Sequence, residues 1–182
     1  MLDGTNVFLI GLMGVGKTTV GRLLAPRLGY TFIDTDALVE KATGKSVATL
    51  FAEVGEAEFR HLESQVLAEA AAFTRLVVAT GGGIVLSPMN WSHLHHGIIV
   101  WLDAPVELLC QRLAHDRQRP LLQGEDRQIT LSRLLEQRQN LYAQADLRLT
   151  ISTVDTPESL CERTIAALQD RIEPGRLRQP PA

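Results

Sequence analysis

A glycine-rich segment near the start of the chain has the residue spacing of a phosphate-binding loop. It runs GLMGVGKT from Gly11 to Thr18 and matches G-x-x-x-x-G-K-[ST] at every fixed position. The glycines let backbone N–H groups approach phosphate oxygens, Lys17 can reach the β- and γ-phosphates, and the Thr18 hydroxyl can bind Mg²⁺. The segment therefore predicts binding of a nucleoside triphosphate with magnesium. A ligand-free turn between a strand and a helix is the alternative.

Two carboxylates follow the next apolar run of the sequence. Asp34 and Asp36 come directly after Thr31–Ile33. One could hold Mg²⁺ through water, and the other could accept a proton or hydrogen bond from a substrate hydroxyl. The alternative is that Asp36 only caps the helix that begins at Ala37. A strand end beside a phosphate loop favours the functional interpretation.

Three consecutive glycines end a third apolar run, Leu76–Ala79. They are Gly81, Gly82 and Gly83. A tight turn would explain them by backbone conformation alone. They would equally allow an anionic or hydroxylated substrate to lie against backbone N–H groups, and we favour ligand contact at this strand end.

Four arginines could bind an anionic substrate: Arg60, Arg117, Arg119 and Arg138. Each has a purely structural alternative, since Arg60 could pair with Glu56 or Glu63 along a helix and the others could be solvated. Together they offer planar, bidentate donors for a carboxylate or a transferring phosphate. A loop that carries Arg119 could close over bound ATP, exclude water and stabilise the γ-phosphoryl group.

Two other features suggest metal sites that we do not favour. Asp103 follows the apolar run Ile98–Leu102 and so resembles a magnesium-binding carboxylate, but Ala104 and Pro105 follow at once. We therefore expect Asp103 to cap the next helix. The cluster of His93, His95 and His96 has no nearby cysteine or acidic ligand, and we expect a polar surface turn there.

The elements that must position these residues alternate between strand and helix. Five strand-like apolar runs are separated by helical patterns: Val7–Ile10, Thr31–Ile33, Leu76–Ala79, Ile98–Leu102 and Arg148–Ile151. This order predicts an α/β fold of three layers, with a five-stranded parallel sheet covered by helices on both faces. Such sheets bind ligands at the carboxyl ends of their strands, where the candidate residues stand.

Residues 1–172 are expected to form a single domain with two additions. Residues 37–73 are too long for one helix, and Gly44 and Gly55 divide them into about three. They predict an inserted substrate-binding lobe over about 34–73. Residues 114–127 are polar and contain Pro120 and Gly124, as a mobile lid would. The tail at 173–182 is expected to be flexible.

The composition of the chain argues against several classes of binding partner. The chain has 182 residues, 45% of them apolar, and a net charge of −3, which argues against coating nucleic acid or an anionic membrane. No apolar run approaches the roughly 20 residues that span a bilayer, and Asp3 with no basic leader argues against a signal peptide. Cys110 and Cys161 are far apart, as suits free thiols in the cytoplasm. No heptad run demands a second chain, so a monomer is expected.

Taken together, the motifs resemble those of the shikimate kinase family over about residues 5–170. The matching segments occur in the family's order: FLIGLMGVGKTTVG, FIDTD, G-E-x-x-F-R at 55–60, GGG at 81–83, RPLL at 119–122 and R-x-x-L-Y at 138–142. A phosphate loop alone is common, but this combination is specific. The resemblance implies a P-loop kinase fold related to the nucleoside monophosphate kinases. It also implies transfer of the γ-phosphoryl group of ATP to the 3-hydroxyl of shikimate, with Mg²⁺, in aromatic amino-acid biosynthesis.

The resemblance also implies roles for individual residues. Lys17, Asp36 and Arg119 would be catalytic, and Thr18 and Asp34 would lie near Mg²⁺. Arg60 and Arg138 would hold the shikimate carboxylate, and Asp36 its hydroxyls, with Gly81, Gly82 and Gly83 lining the same pocket. ATP would be bound by Gly14, Val15, Gly16, Lys17, Thr18, Thr19, Arg112, Arg119 and Pro157. Arg112 would cover the adenine, with the Thr153–Pro157 loop on its other side.

Two alternatives remain open from the sequence. Another small-molecule P-loop kinase, such as a gluconate kinase or a nucleoside monophosphate kinase, would share the loop, the fold class and a lid. It would not be expected to combine the FIDTD, phenylalanine–arginine and triple-glycine motifs. A nucleotide-dependent switch is the second alternative, but the guanine motif N-K-x-D of a GTPase is absent from the sequence.

Overall fold

Five short strands form one parallel sheet in the order β2-β3-β1-β4-β5. Their bounds are β1 Asn6–Ile10, β2 Thr31–Asp34, β3 Leu76–Ala79, β4 Gly97–Asp103 and β5 Leu147–Thr150. The computed structural model describes residues 2–114, 116, 120–122 and 126–172. All five predicted strands are present, each within one residue of its expected bounds, and the predicted α/β class is confirmed.

Within the described residues, seven α-helices connect or follow the strands: α1 Lys17–Leu28, α2 Thr35–Thr43, α3 Val47–Ala71, α4 Pro88–Leu94, α5 Val106–Arg112, α6 Arg127–Tyr142 and α7 Pro157–Ile172. Short 3₁₀ turns occupy Ile84–Leu86 and Pro120–Leu122. Helix α1 packs with α7, α3 with α4, and α5 with α6. None of the described helices is long and apolar enough to cross a membrane.

The centre of the sheet carries the main core. Every residue of β1 and β3 is buried, because helices cover the sheet and leave no solvated face for polar residues. Leu24 of α1, Leu67 of α3 and Leu131 of α6 are also fully buried in this core. Its burial fixes the carboxyl ends of the strands, from which the candidate residues project.

Helices α2 and α3 have a small apolar cluster of their own. Val39, Leu50 and Phe59 form its buried part, separate from the core under the sheet. Gly44 ends α2 in the left-handed conformation, and α3 is broken at Gly55, whose φ of 80° and ψ of 172° are not helical. The prediction that these two glycines divide the segment into three helical pieces is confirmed.

The helix cap expected at Asp103 is wrong, and the alternative considered for Asp36, a cap of α2, is not observed either. The cap of α2 is Asp34, whose carboxylate accepts hydrogen bonds from the N–H groups of Asp36 and Ala37, so Asp36 itself lies in the first turn. Asp103 is not a cap either, because Pro105 occupies that position in α5. Asp103 Oδ2 instead accepts from Arg148 Nη2 at 2.6 Å and Nε at 3.0 Å.

The pairing register of β4 and β5 explains why Asp103 contacts Arg148. Trp101 pairs with Arg148, and Asp103 lies two residues further along β4 on the same face. The arginine can therefore cover the Trp101 ring, 4.5 Å from its centroid, while it binds the carboxylate of Asp103.

Several predicted features lie wholly or partly outside the described residues. Arg117 and Arg119 are among them, as is the tail at 173–182. The lid predicted at 114–127 is described only at 114, 116, 120–122 and 126–127.

Candidate active site

The phosphate loop connects β1 to α1 and depends on glycine conformation. Gly11, Gly14 and Gly16 have φ angles of 137°, 76° and 104°, which side chains with a Cβ rarely adopt. A Cβ on Gly11 would also overlap the carbonyl oxygen of Leu102 at the end of β4. Gly16 begins α1 without a side-chain cap, so the first N–H groups of the helix remain available for an anion.

The side chain of Lys17 folds back over the start of the phosphate loop. Its Nζ donates to the carbonyl oxygens of Gly11 at 2.8 Å and Leu12 at 2.9 Å, and its side chain is largely buried. A cavity of about 240 Å³ lies over this segment. It is lined in part by the predicted ATP-binding residues Gly14, Gly16, Lys17, Thr18 and Thr19.

A hydroxyl and a carboxylate meet at the edge of this cavity. Thr18 Oγ1 donates to Asp34 Oδ2 at 2.6 Å, while Asp34 Oδ1 accepts from the N–H groups of Asp36 and Ala37. Hard oxygen ligands of this kind are the ones that Mg²⁺ prefers. The donor set at Thr18 and Asp34 therefore fits the magnesium that the sequence predicts.

A larger cavity of about 710 Å³ lies beside the first. All six predicted substrate-binding residues line it: Asp36, Arg60, Gly81, Gly82, Gly83 and Arg138. The two cavities share Met13, Thr18, Asp34, Asp36 and Gly82. A molecule in the larger cavity would therefore meet the end of a molecule in the smaller one at these shared residues.

Arg60 is both paired and part of the larger cavity. Its Nη1 donates to Glu63 Oε2 at 2.8 Å and its Nη2 to Glu56 Oε1 at 3.1 Å. The guanidinium also lies 5.4 Å from the centroid of the Phe59 ring. The ion pairs of Arg60 with Glu56 and Glu63 that the sequence suggested are thus present. Arg60 still lines the cavity while it makes them.

Glu63 is a buried carboxylate that sequence reasoning treated only as a partner of Arg60. Its side chain is fully buried, and burial raises its pKa, against the favourable charge of Arg60. Among the described residues, its Oε1 has no hydrogen-bond partner, nor do the buried Nε atoms of Arg60 and Arg138. The three atoms leave hydrogen-bonding capacity unused around the cavity.

Arg138 comes to the cavity from α6. It is buried, and its Nη1 donates to the carbonyl oxygen of Gly82 at 3.1 Å. The hydroxyl of Tyr142 donates to the same oxygen at 2.6 Å. Tyr142 was part of the R-x-x-L-Y motif, but it was given no role from the sequence.

Close approach of neighbouring side chains explains two of the three consecutive glycines, Gly81 and Gly83. None of the three has a φ in the left-handed region. A Cβ on Gly81 would overlap Glu63 Oε1 and lie 2.9 Å from Asp36 Oδ1, while one on Gly83 would overlap the Arg60 guanidinium. Side chains of the larger cavity therefore occupy the space that a Cβ would need.

The remaining predicted nucleotide contacts stand at the ends of β4 and β5. Arg112, in the last turn of α5, donates from Nη1 to the carbonyl oxygen of Val15 at 3.0 Å. Pro157 begins α7 after the loop that follows β5. In that loop Asp155 Oδ2 accepts from the backbone N–H of Ser152 at 2.8 Å, and Asp155 Oδ1 accepts from Arg163 at 2.8 Å.

The parallel sheet, the phosphate loop at its centre and two cavities that meet above it define a P-loop kinase acting on a small acceptor. The family model described as "Shikimate kinase" matches residues 13–169. The chain belongs to the shikimate kinase family, and it is an ATP-dependent kinase. The family resemblance found in the sequence motifs is thereby confirmed.

Similar proteins cover nearly the whole chain. It is 56% identical over 173 residues to a shikimate kinase of Thermosynechococcus vestitus, covering 95% of this chain and 94% of that one. It is also 56% identical over 174 residues to a shikimate kinase of Nostoc punctiforme, covering 96% of each. The solved structure of shikimate kinase from Acinetobacter baumannii in complex with shikimate matches with a TM-score of 0.85 and 40% identity, covering 96% of each chain.

Proposed function

We propose that this chain transfers the γ-phosphoryl group of ATP to the 3-hydroxyl of shikimate, a step of aromatic amino-acid biosynthesis, and that its two cavities divide the substrates. The smaller cavity would take the phosphates of ATP and the larger one shikimate. The observation that carries this proposal is their overlap at Thr18, Asp34, Asp36 and Gly82. Transfer requires the attacking hydroxyl and the γ-phosphate to meet, and the shared edge is where the two described cavities come together.

The acceptor would be held by charge at one end and by hydrogen bonds at the other. Arg60 and Arg138 line the larger cavity and offer planar guanidinium groups that suit a carboxylate. Asp36 lies on the shared edge and would accept the hydrogen bond of the reacting hydroxyl. Gly81, Gly82 and Gly83 would form the wall against which the ring lies.

The donor would be bound mainly by the phosphate loop. The residues proposed to surround its phosphates are Gly14, Val15, Gly16, Lys17, Thr18 and Thr19. Lys17 would exchange its bonds to the carbonyls of Gly11 and Leu12 for contacts with the β- and γ-phosphates. Arg112 and Pro157 would flank the base. Arg119, which lies outside the described residues, would contact both substrates from a closing loop.

Magnesium would be held by Thr18 and Asp34, whose oxygens are already in contact. When bound, the ion neutralises charge on the β- and γ-phosphates. Asp34 also caps α2, so its carboxylate is fixed at the strand end. Its position would couple the metal site to the helix that carries Asp36.

The wider organisation is proposed on the same basis. Residues 1–172 would be one kinase domain, with 34–73 as the substrate-binding lobe and 114–127 as the lid. One small apolar cluster supports a distinct lobe, since Val39, Leu50 and Phe59 pack apart from the main core. The two free cysteines, Cys110 and Cys161, suit the cytoplasm, and we propose that the chain acts there as a monomer.

Acceptor-dependent release of ADP tests the proposed function. With ATP and Mg²⁺, we expect turnover on adding shikimate and none on adding gluconate, which is also a hydroxylated carboxylate. Phosphorylation of shikimate at the 3-hydroxyl would be identified by NMR of the product. Turnover of gluconate with no response to shikimate would reject the proposal.

A further inference from the structure

Tyr142 is a buried polar residue to which the proposed function gives no part. Its side chain is fully buried, and its ring stacks on that of Trp101 with 5.8 Å between centroids and 27° between planes. Burial raises the pKa of Tyr142 to about 12. Its phenol is therefore protonated at neutral pH and can act only through its hydrogen bonds and its packing.

The hydroxyl of Tyr142 shares its acceptor with Arg138. Tyr142 donates to the Gly82 carbonyl oxygen at 2.6 Å, and Arg138 Nη1 donates to the same oxygen at 3.1 Å. The two donors lie four residues apart on α6, hence on one face of the helix. A carbonyl oxygen has two lone pairs, so it can accept both bonds at once.

Gly82 stands where the two cavities meet, and these two bonds hold its carbonyl oxygen. It lines both cavities and has no Cβ to restrict it. In a trans peptide the Gly82 carbonyl and the Gly83 N–H point in opposite directions. Fixing the carbonyl towards α6 therefore also fixes the N–H on the other side of the peptide.

The same carbonyl orients the arginine. The guanidinium is a rigid planar group, so the bond from Arg138 Nη1 to Gly82 restrains the orientation of its other nitrogens. If the Gly82 carbonyl shifts, the Arg138 guanidinium loses the hydrogen bond that holds it at the cavity wall. The Tyr142 hydroxyl holds that carbonyl from a ring that is itself held by Trp101.

We propose that Tyr142 is a positioning residue for the acceptor: through Gly82 it holds the Arg138 guanidinium in the orientation that binds the substrate carboxylate. This inference rests on the proposed function, in which Arg138 contacts that carboxylate. Tyr142 does not touch the substrate itself. A purely structural tyrosine would need its ring in the core but would have no effect specific to one substrate.

Tyr142→Phe tests the inference, because it removes only the hydroxyl and keeps the ring on Trp101. We expect KM for shikimate to rise about three- to tenfold, the range for loss of one hydrogen bond, with kcat and KM for ATP within about twofold. The rise should be the same from about pH 6 to 9. Tyr30→Phe is the matched control, since Tyr30 is the only other tyrosine and lies between α1 and β2.

Repeating Tyr142→Phe in the Arg138→Met variant distinguishes an effect that acts through Arg138 from a general effect on packing. In Arg138→Met, Tyr142→Phe should add less than about a twofold change in KM for shikimate, since the residue through which it acts is gone. An equal effect in both backgrounds would overturn the inference. So would an unchanged KM for shikimate in Tyr142→Phe, or a parallel rise in KM for ATP. If Arg138→Met itself left KM for shikimate unchanged, the proposed carboxylate site would fail, and this inference with it.

Discussion

Thr18 and Asp34 are joined by a hydrogen bond of 2.6 Å that ties the first turn of α1 to the end of β2. The same carboxylate caps α2 through its other oxygen. One side chain thus connects the phosphate loop with the segment that carries Asp36. This arrangement places the proposed metal ligands between the donor and acceptor cavities.

Asp34→Asn should therefore raise the Mg²⁺ concentration that gives half-maximal activity, by about tenfold or more. An amide is a weaker ligand for a hard cation than a carboxylate. Activity would be measured across a Mg²⁺ titration at saturating substrates. Asp103→Asn is the control, because Asp103 is engaged by Arg148 and should leave the Mg²⁺ requirement unchanged. The opposite pattern would make Asp103 the metal carboxylate.

Lys17→Met should lower kcat about 10²- to 10³-fold, because a cation aimed at developing charge is lost from the site. The side chain keeps much of its length and apolar stem. Lys41→Met, at an exposed lysine of α2, is the matched control and should retain activity. Steady-state kinetics with both substrates saturating would measure the change. A loss of less than about threefold would remove Lys17 from the catalytic residues.

Gly81→Ala should weaken shikimate binding much more than Gly82→Ala does. The added Cβ would overlap Glu63 Oε1 at position 81, whereas its nearest neighbour at position 82 is 3.4 Å away. We expect KM for shikimate to rise about tenfold or more in Gly81→Ala, with KM for ATP little changed. Equal effects of the two substitutions would show that close packing against Glu63 does not shape the acceptor cavity.

Asp155→Asn should lower the Tm in a pH-dependent way. Hydrogen bonds from the Ser152 backbone, with help from its hydroxyl and Arg163, hold the pKa of Asp155 below its ordinary 3.8. The folded state thus binds the proton less readily than the unfolded one, so the carboxylate stabilises the fold above about pH 3.8 and loses this effect at lower pH. The Tm difference from the unchanged protein should be present at about pH 7 and vanish in acid. A difference independent of pH would contradict this origin.

The sequence predicted the strands and several of the residues that line the two cavities, because these depend on local patterns. Apolar runs mark buried parallel strands, and residues just after them gather at one edge of the sheet. The phosphate loop needs fixed residues at fixed spacing, so Lys17 and Thr18 were evident. Arg60, on a different element, was a candidate for binding an anion from its residue type, and the family resemblance assigned it to the acceptor carboxylate.

The sequence analysis missed the partner of Asp103 and the role of Tyr142. Asp103 was expected to cap a helix, but its partner is set by the β4–β5 register that brings Arg148 beside it. The cap at Asp36 that the sequence left as an alternative is not observed, because α2 begins at Thr35 and not at Ala37, and Asp34 caps it. Tyr142 follows Arg138 by four residues, a spacing that could have suggested a shared task.

Binding of shikimate and of its methyl ester to Arg60→Lys and Arg138→Lys tests the central claim, that these arginines hold the carboxylate. A lysine keeps the charge but loses the planar fork. Calorimetry should show that each substitution weakens shikimate binding about 10- to 100-fold. The ester lacks the anionic group and should bind weakly to every variant, so its affinity should change less than about threefold. An equal loss for acid and ester would contradict the claim.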